Sequence, residues 1–137
     1  MIVLDTNVLS EPLKKAPSSQ VMKWLDEQAA ESLYITTISY AELRYGVLLL
    51  PDGKRKAELA SRIDAVLSLF TKRTLAFDVD SAEHLAHIAA VSAKQGGKAT
   101  APDAYIAAIA TAHGFSIATR NVKHFEHLGT PLINPWE

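Results

Sequence analysis

Three carboxylates in this chain, Asp5, Glu42 and Asp103, stand where an acid is either a helix cap or a reagent. Asp5 follows the apolar run Met1 to Leu4, which suits a strand covered on both faces, so the acid marks that strand's exit. Glu42 is placed by its sequence in the first turn of a helix after the second strand. Asp103 is placed in the first turn of an alanine-rich helix. Ser39-x-x-Glu42 and Thr100-x-x-Asp103 both match the capping box, in which the acid reaches back to the cap residue's amide. Asp5 could likewise cap the short NVLSE turn. Taken one at a time, each acid therefore has a structural explanation.

Taken together, they have a chemical one. In an open α/β sheet, ligands collect beyond the carboxyl ends of the strands, where the strand order reverses. Acids gathered there at separations of about 4 Å repel by roughly 4 kcal/mol per pair at an effective dielectric of 20. A divalent cation reverses that penalty. Hard Mg2+ or Mn2+ prefers oxygen ligands and often needs only one or two carboxylates plus the phosphate oxygens of a substrate. With no cysteine and no paired-histidine spacing, zinc is the poorer candidate. The chemistry that uses such a site is hydrolytic attack on phosphorus, with a carboxylate orienting the water.

The elements that must hold these acids alternate along the chain. After the first strand, Val21, Trp24 and Leu25 keep helical spacing and LYITT (33–37) reads as a strand. SYAELRYGVLLL (39–50) reads as a helix opened by Ser39, and a second helix from 54 to 70 completes a possible hairpin. RTLAFDV (73–79) is a strand; Asp80 caps a helix that runs to Gln95, with Gly96-Gly97 as its stop. A helix over 100–114 follows, capped by Thr100, and FSIATRN (115–121) and PLINP (131–135) complete the strands. Parallel strands need crossovers, mostly helical, so the pattern predicts a three-layer α/β/α domain with a central parallel sheet.

A length of 137 residues is expected to make one domain spanning 1–137, with 48% apolar and 21% charged residues as in ordinary globular chains. No apolar run approaches the roughly 20 residues of a membrane span, which argues against a membrane partner. The N-terminus lacks a secretory pattern and there is no cysteine, so a cytoplasmic location is expected. A formal net charge of -1 argues against bulk electrostatic capture of nucleic acid, although Lys54-Arg55-Lys56 and Lys72-Arg73 could meet phosphates locally.

LDTNVLSE at the start, AELRYG around Glu42, PDAYIAAIA around Asp103, IATRN near the last strands and the closing NPW resemble, in this order, the PIN-domain toxins of the VapC type, near their FitB-like branch. The resemblance implies a PIN-like fold and Mg2+- or Mn2+-dependent cleavage of RNA. It also implies a homodimer and a cognate antitoxin of the VapB or FitA type, with operator DNA reached only through that antitoxin. On the same ground Asp5 and Asp103 would be the metal ligands, and Glu42 would orient the attacking water or hold the ion through water. Thr6 would support Asp5 at the cofactor site, or else satisfy amides in its own turn. Many members carry a fourth acid just after the T-R pair or three residues on; here those positions hold Asn121 and His124. Asn121 is counted with the catalytic residues as a neutral oxygen donor, which leaves open one metal or two. The missing charge also motivates an alternative: a catalytically weakened module that acts mainly as an antitoxin-bound partner. A receiver or haloacid-dehalogenase-like phosphatase is disfavoured, since D-T-N is not D-x-D and no lysine follows the last strand.

Arg120 could hold a phosphate or pair with a surface acid, and the second is preferred. His113 fits a helix C-terminus, His124 and His127 are assigned to the surface, and Tyr40, Tyr45 and Tyr105 to packing. Apolar residues from Val47 to Leu50 exceed the needs of one helix face, so a dimer or partner surface is expected there.

Overall fold

The computed structural model describes residues 1–96 and 101–137. Among these, five short strands form one parallel sheet: β1 (Ile2–Leu4), β2 (Leu33–Thr36), β3 (Thr74–Leu75), β4 (Ser116–Ala118) and β5 (Leu132–Ile133). Their spatial order is β3-β2-β1-β4-β5. The chain builds outward from β1 to β3 and then returns to the other side of β1, so the order reverses between β1 and β4. Ile2, Val3 and Leu4 pair in register with Ser116, Ile117 and Ala118 across that seam.

Side chains alternate along each strand, and this splits the core in two. Leu4, Leu33, Ile35 and Ala118 face one layer, where α1 (Thr6–Ser10), α3 (Thr37–Leu48) and α4 (Lys54–Ser68) supply Val8, Leu43, Val47, Ile63 and Leu67. Val3 and Ile117 face the other, against Ile88 of α5 (Val79–Gln95), Ile106 to Ala108 of α6 (Ala101–His113) and Phe125 of α7 (Val122–Phe125). Trp24 and Leu25 of α2 (Ser19–Glu27) pack at the edge of the first layer. The expected α/β/α arrangement is present, and α3 and α4 pack as the expected hairpin.

Several boundaries differ from the sequence reading. The helix expected to open at Ser39 begins at Thr37, because Thr36 keeps an extended backbone and its hydroxyl accepts from the Ser39 amide at 3.2 Å. Likewise Asp78, not Asp80, caps α5, accepting from the Ser81 amide at 2.9 Å, so the strand expected over 73–79 shrinks to two residues. Gly96 does end α5, in the left-handed conformation (φ 62°) that glycine adopts without steric cost. The expected cap at Thr100 and the second glycine of the stop, Gly97, lie outside the described residues.

The tyrosines assigned to packing are largely at the surface. Tyr45 is 64% exposed, Tyr40 lies beneath the Arg44 guanidinium, and Tyr105 meets the edge of Phe77. Of the Val47 to Leu50 run, Val47 is buried while Leu48 and Leu49 are exposed.

Candidate active site

Asp5 is the first residue beyond β1, and its amide still donates to Ala118 O of β4 at 2.9 Å. Its carboxylate is therefore held at the seam where the strand order reverses. Oδ1 accepts from the Thr6 amide at 2.8 Å, which makes Asp5 the cap of α1. Oδ2 accepts from the Thr119 hydroxyl at 2.7 Å and from Asn7 Nδ2 at 3.2 Å. The capping explanation of Asp5 is thus correct, and among the described residues it occupies only part of the carboxylate: Oδ1, with two lone pairs, takes one donor.

Glu42 is not a capping acid. With α3 starting at Thr37, it lies in the second turn of the helix, and its Oε1 takes the Thr6 hydroxyl at 2.7 Å. Thr6 Oγ1 also lies 2.8 Å from Ser39 Oγ. Thr6 is the donor toward both groups, so its one hydrogen is shared between the Glu42 carboxylate and the buried Ser39 hydroxyl. This relay ties α1 to α3 and fixes one oxygen of Glu42 beside the seam. Thr6 supports Glu42 through its hydroxyl and Asp5 through its amide.

Asp103 lies in the first turn of α6, with Ile106 buried one turn further on. Its Oδ2 meets His124 Nδ1 at 3.2 Å. His124 therefore belongs to this site and not simply to the outer surface, a correction to the sequence reading. His127 is half-buried, with its Nε2 atom shielded from solvent. Asn121 opens α7 without using its side chain as a cap, while its amide donates to Thr119 Oγ1 at 3.0 Å.

These groups converge. Asp5, Thr6, Asn7, Glu42, Asp103 and Asn121 line one cleft of about 300 Å³ at the carboxyl ends of β1 and β4. The electrostatics agree with the geometry. Burial chiefly, and then the negative charges of Asp103 and Glu42, push the Asp5 carboxyl up to about 6, against the Thr119 and Thr6 hydrogen bonds, which lower it. Among the described residues no three acid or histidine side chains already close into a metal-binding group. The donor set nonetheless fits a hard cation, since it offers carboxylate, hydroxyl and amide oxygens with crowded negative charge. A further buried acid, Glu11, is kept from this role by its own partners, Lys14 at 2.8 Å and the Ser18 amide at 3.4 Å.

Thr119, Ser39 and Asn7 orient the acids, and the sequence reading did not single them out. Thr119 carried a signal, as the polar residue that ends β4 in the same way that Asp5 ends β1. Ser39 matches the cap pattern of α3, but Thr36 fills that place.

A doubly covered parallel sheet with an acid-lined cleft at its reversal point is the class this fold and site define. The chain belongs to the PIN-domain family, whose model matches residues 2–130. Among relatives, it is similar to the VapC ribonuclease Y4jK of Sinorhizobium fredii, at 44% identity over 100% of this chain and 99% of that one. Toxin FitB of Neisseria gonorrhoeae is 42% identical, over 99% of both chains. The crystal structure of FitAcB from the same organism superposes with a TM-score of 0.95 at 42% identity, covering 100% of this chain and 99% of that chain.

Proposed function

We propose that the chain is a Mg2+- or Mn2+-dependent endoribonuclease, the toxin of a type II toxin–antitoxin pair, which hydrolyses RNA phosphodiester bonds by in-line attack of water. One observation carries this reading: Asp5, Glu42 and Asp103, far apart in sequence, line a single cleft at the sheet's reversal point. The similarity to a VapC ribonuclease and to toxin FitB supports the choice of RNA and the role as toxin.

In this reading Asp5 and Asp103 hold the cation, with Asn121 as a neutral neighbour. The chemistry a divalent ion supplies when bound there is charge neutralisation at the phosphate oxygens and a more acidic water. Glu42, with Oε1 fixed by the Thr6 hydroxyl, has its second carboxylate oxygen to take the proton of the attacking water. Thr119 and Asn7 hold the Asp5 carboxylate still, and His124 does the same for Asp103. A homodimer, a VapB- or FitA-like antitoxin, operator DNA reached through that antitoxin and a cytoplasmic location complete the proposal.

Incubating the purified chain with RNA and Mg2+ or Mn2+ tests it. Cleavage should stop with chelator and with Asp5→Asn; cleavage untouched by both would overturn the assignment. The second reading, a weakened module that serves mainly as an antitoxin-bound partner, is favoured by Asn121 and His124 standing where many members of the family carry a fourth acid. It requires that no cation binding be lost in Asp103→Ala.

A further inference from the structure

Beside the acid cleft lies a wider one of about 490 Å³, lined by Arg120, Asn121, Lys123, Glu126, Asn134 and Glu137 among others. Asn121 lines both, so the two are neighbours along one surface. Their registration is tighter than adjacency alone. The Arg120 amide donates to Asn7 Oδ1 at 3.3 Å, and Asn7 Nδ2 donates to Asp5 Oδ2 at 3.2 Å, so one asparagine side chain links the two clefts. The Arg120 guanidinium lies over the Trp136 ring at 5.2 Å, and the Trp136 amide is held by Asn134 Oδ1 at 3.0 Å. A guanidinium whose carbon faces a ring can present N–H donors at its edge to a ligand.

The charges here are mixed. Arg120 and Lys123 are cationic, His124 stands between this cleft and Asp103, and Glu126 and Glu137 are anionic. A groove for phosphate alone has no use for the two glutamates. A nucleotide, by contrast, presents an anionic phosphate at one end and N–H donors on its base at the other, and guanine's adjacent donors match a carboxylate. The volume lies within the range of small-ligand sites.

We propose that this cleft seats the nucleotide flanking the scissile phosphate of a single-stranded RNA, with Arg120 and Lys123 on its phosphate and Glu126 on the N–H edge of a guanine. The assignment rests on the nuclease reading, and binding measurements separate the two. Fluorescein-labelled uridine octamers, plain or with one guanosine at each position in turn, are titrated with the full chain carrying Asp5→Asn, and anisotropy is read at several salt concentrations. Adding Arg120→Ala and Lys123→Ala weakens binding about tenfold and lowers the salt slope by about 0.7, the single-strand value for one phosphate contact. Arg120→Lys, which keeps the charge and loses the plane, recovers part of the loss. Glu126→Gln removes a guanosine preference at one position and spares the all-uridine octamer.

Unchanged affinity and slope in the double variant would overturn the proposal, and so would a guanosine preference that survives Glu126→Gln. If the unmodified chain cleaves no RNA while the Arg120 dependence holds, the nuclease reading fails and the subsite stands; cleavage without that dependence is the reverse.

Discussion

At the scale of single residues, Asp5 sets the terms. Its carboxyl is raised to about 6 from an ordinary value of 3.8, so the folded chain binds this proton more tightly than the unfolded chain does. For an acid shifted upward, stability from this group is greatest below about pH 4, declines as the pH rises to about 6, and is level above that. The decline amounts to about 3 kcal/mol. Asp5→Asn should abolish that slope and unfold at a higher temperature than the parent in chelator at pH 7.5, as thermal melts across this pH range would show. The same pH dependence in the parent and in Asp5→Asn would mean that Asp5 carries no such load, since Glu11 and Asp78, held below their ordinary values, contribute the opposite slope to both. Thr119→Val removes a hydrogen bond that lowers the Asp5 value, so at subsaturating Mg2+, where proton and cation compete for this carboxylate, the acid limb of the pH–rate profile for RNA cleavage should move upward. An unmoved limb would remove Thr119 from the site. Asp5, Glu42 and Asp103 were legible because their residue types and positions are local facts. Thr119 offers the same strand-end signal, but its bond to Asp5, like the contact of Thr6 with Ser39, joins segments far apart in the chain and is not local.

The helices show where local signals mislead. Ser39-x-x-Glu42 has the form of a capping box, yet Thr36 caps α3, because the strand delivers it in an extended conformation three residues before an amide it can reach. A sequence with Thr36, Thr37 and Ser39 in succession offers three competing caps, and only the end of β2 decides among them. Thr36→Ala should therefore cost about 1 kcal/mol, and Glu42→Gln nothing comparable, in denaturant unfolding. Equal losses in the two would restore the capping box. The shortened β3 has the same origin, since Asp78 is a better-placed cap than Asp80 and claims the end of the expected strand for α5. By contrast α6 was legible in outline, with Ile106 and Ile109 on one face and a buried alanine run beside them.

For the whole molecule, alternation of strands and helices was enough to foresee a parallel sheet covered on both sides. It could not give the order β3-β2-β1-β4-β5, which follows from how the two apolar layers divide the helices between the faces. That order puts the reversal beside β1 and so turns three scattered acids into one cleft. A ligand that binds only the folded chain stabilises it by about 2.7 kcal/mol at 100 times its dissociation constant. At this chain length, Mn2+ at that excess should raise the melting temperature by roughly 10 °C. In Asp5→Asn the rise should vanish; an equal rise in both proteins would place the ion elsewhere.

Calorimetric titration of Mn2+ at pH 7.5 into the parent chain and into Asp5→Asn, Asp103→Asn and Glu42→Gln tests most directly whether the three acids share one ion. The parent should show a saturable site that both aspartate variants lose and that Glu42→Gln weakens. The same binding heat and affinity in all four proteins would contradict the account.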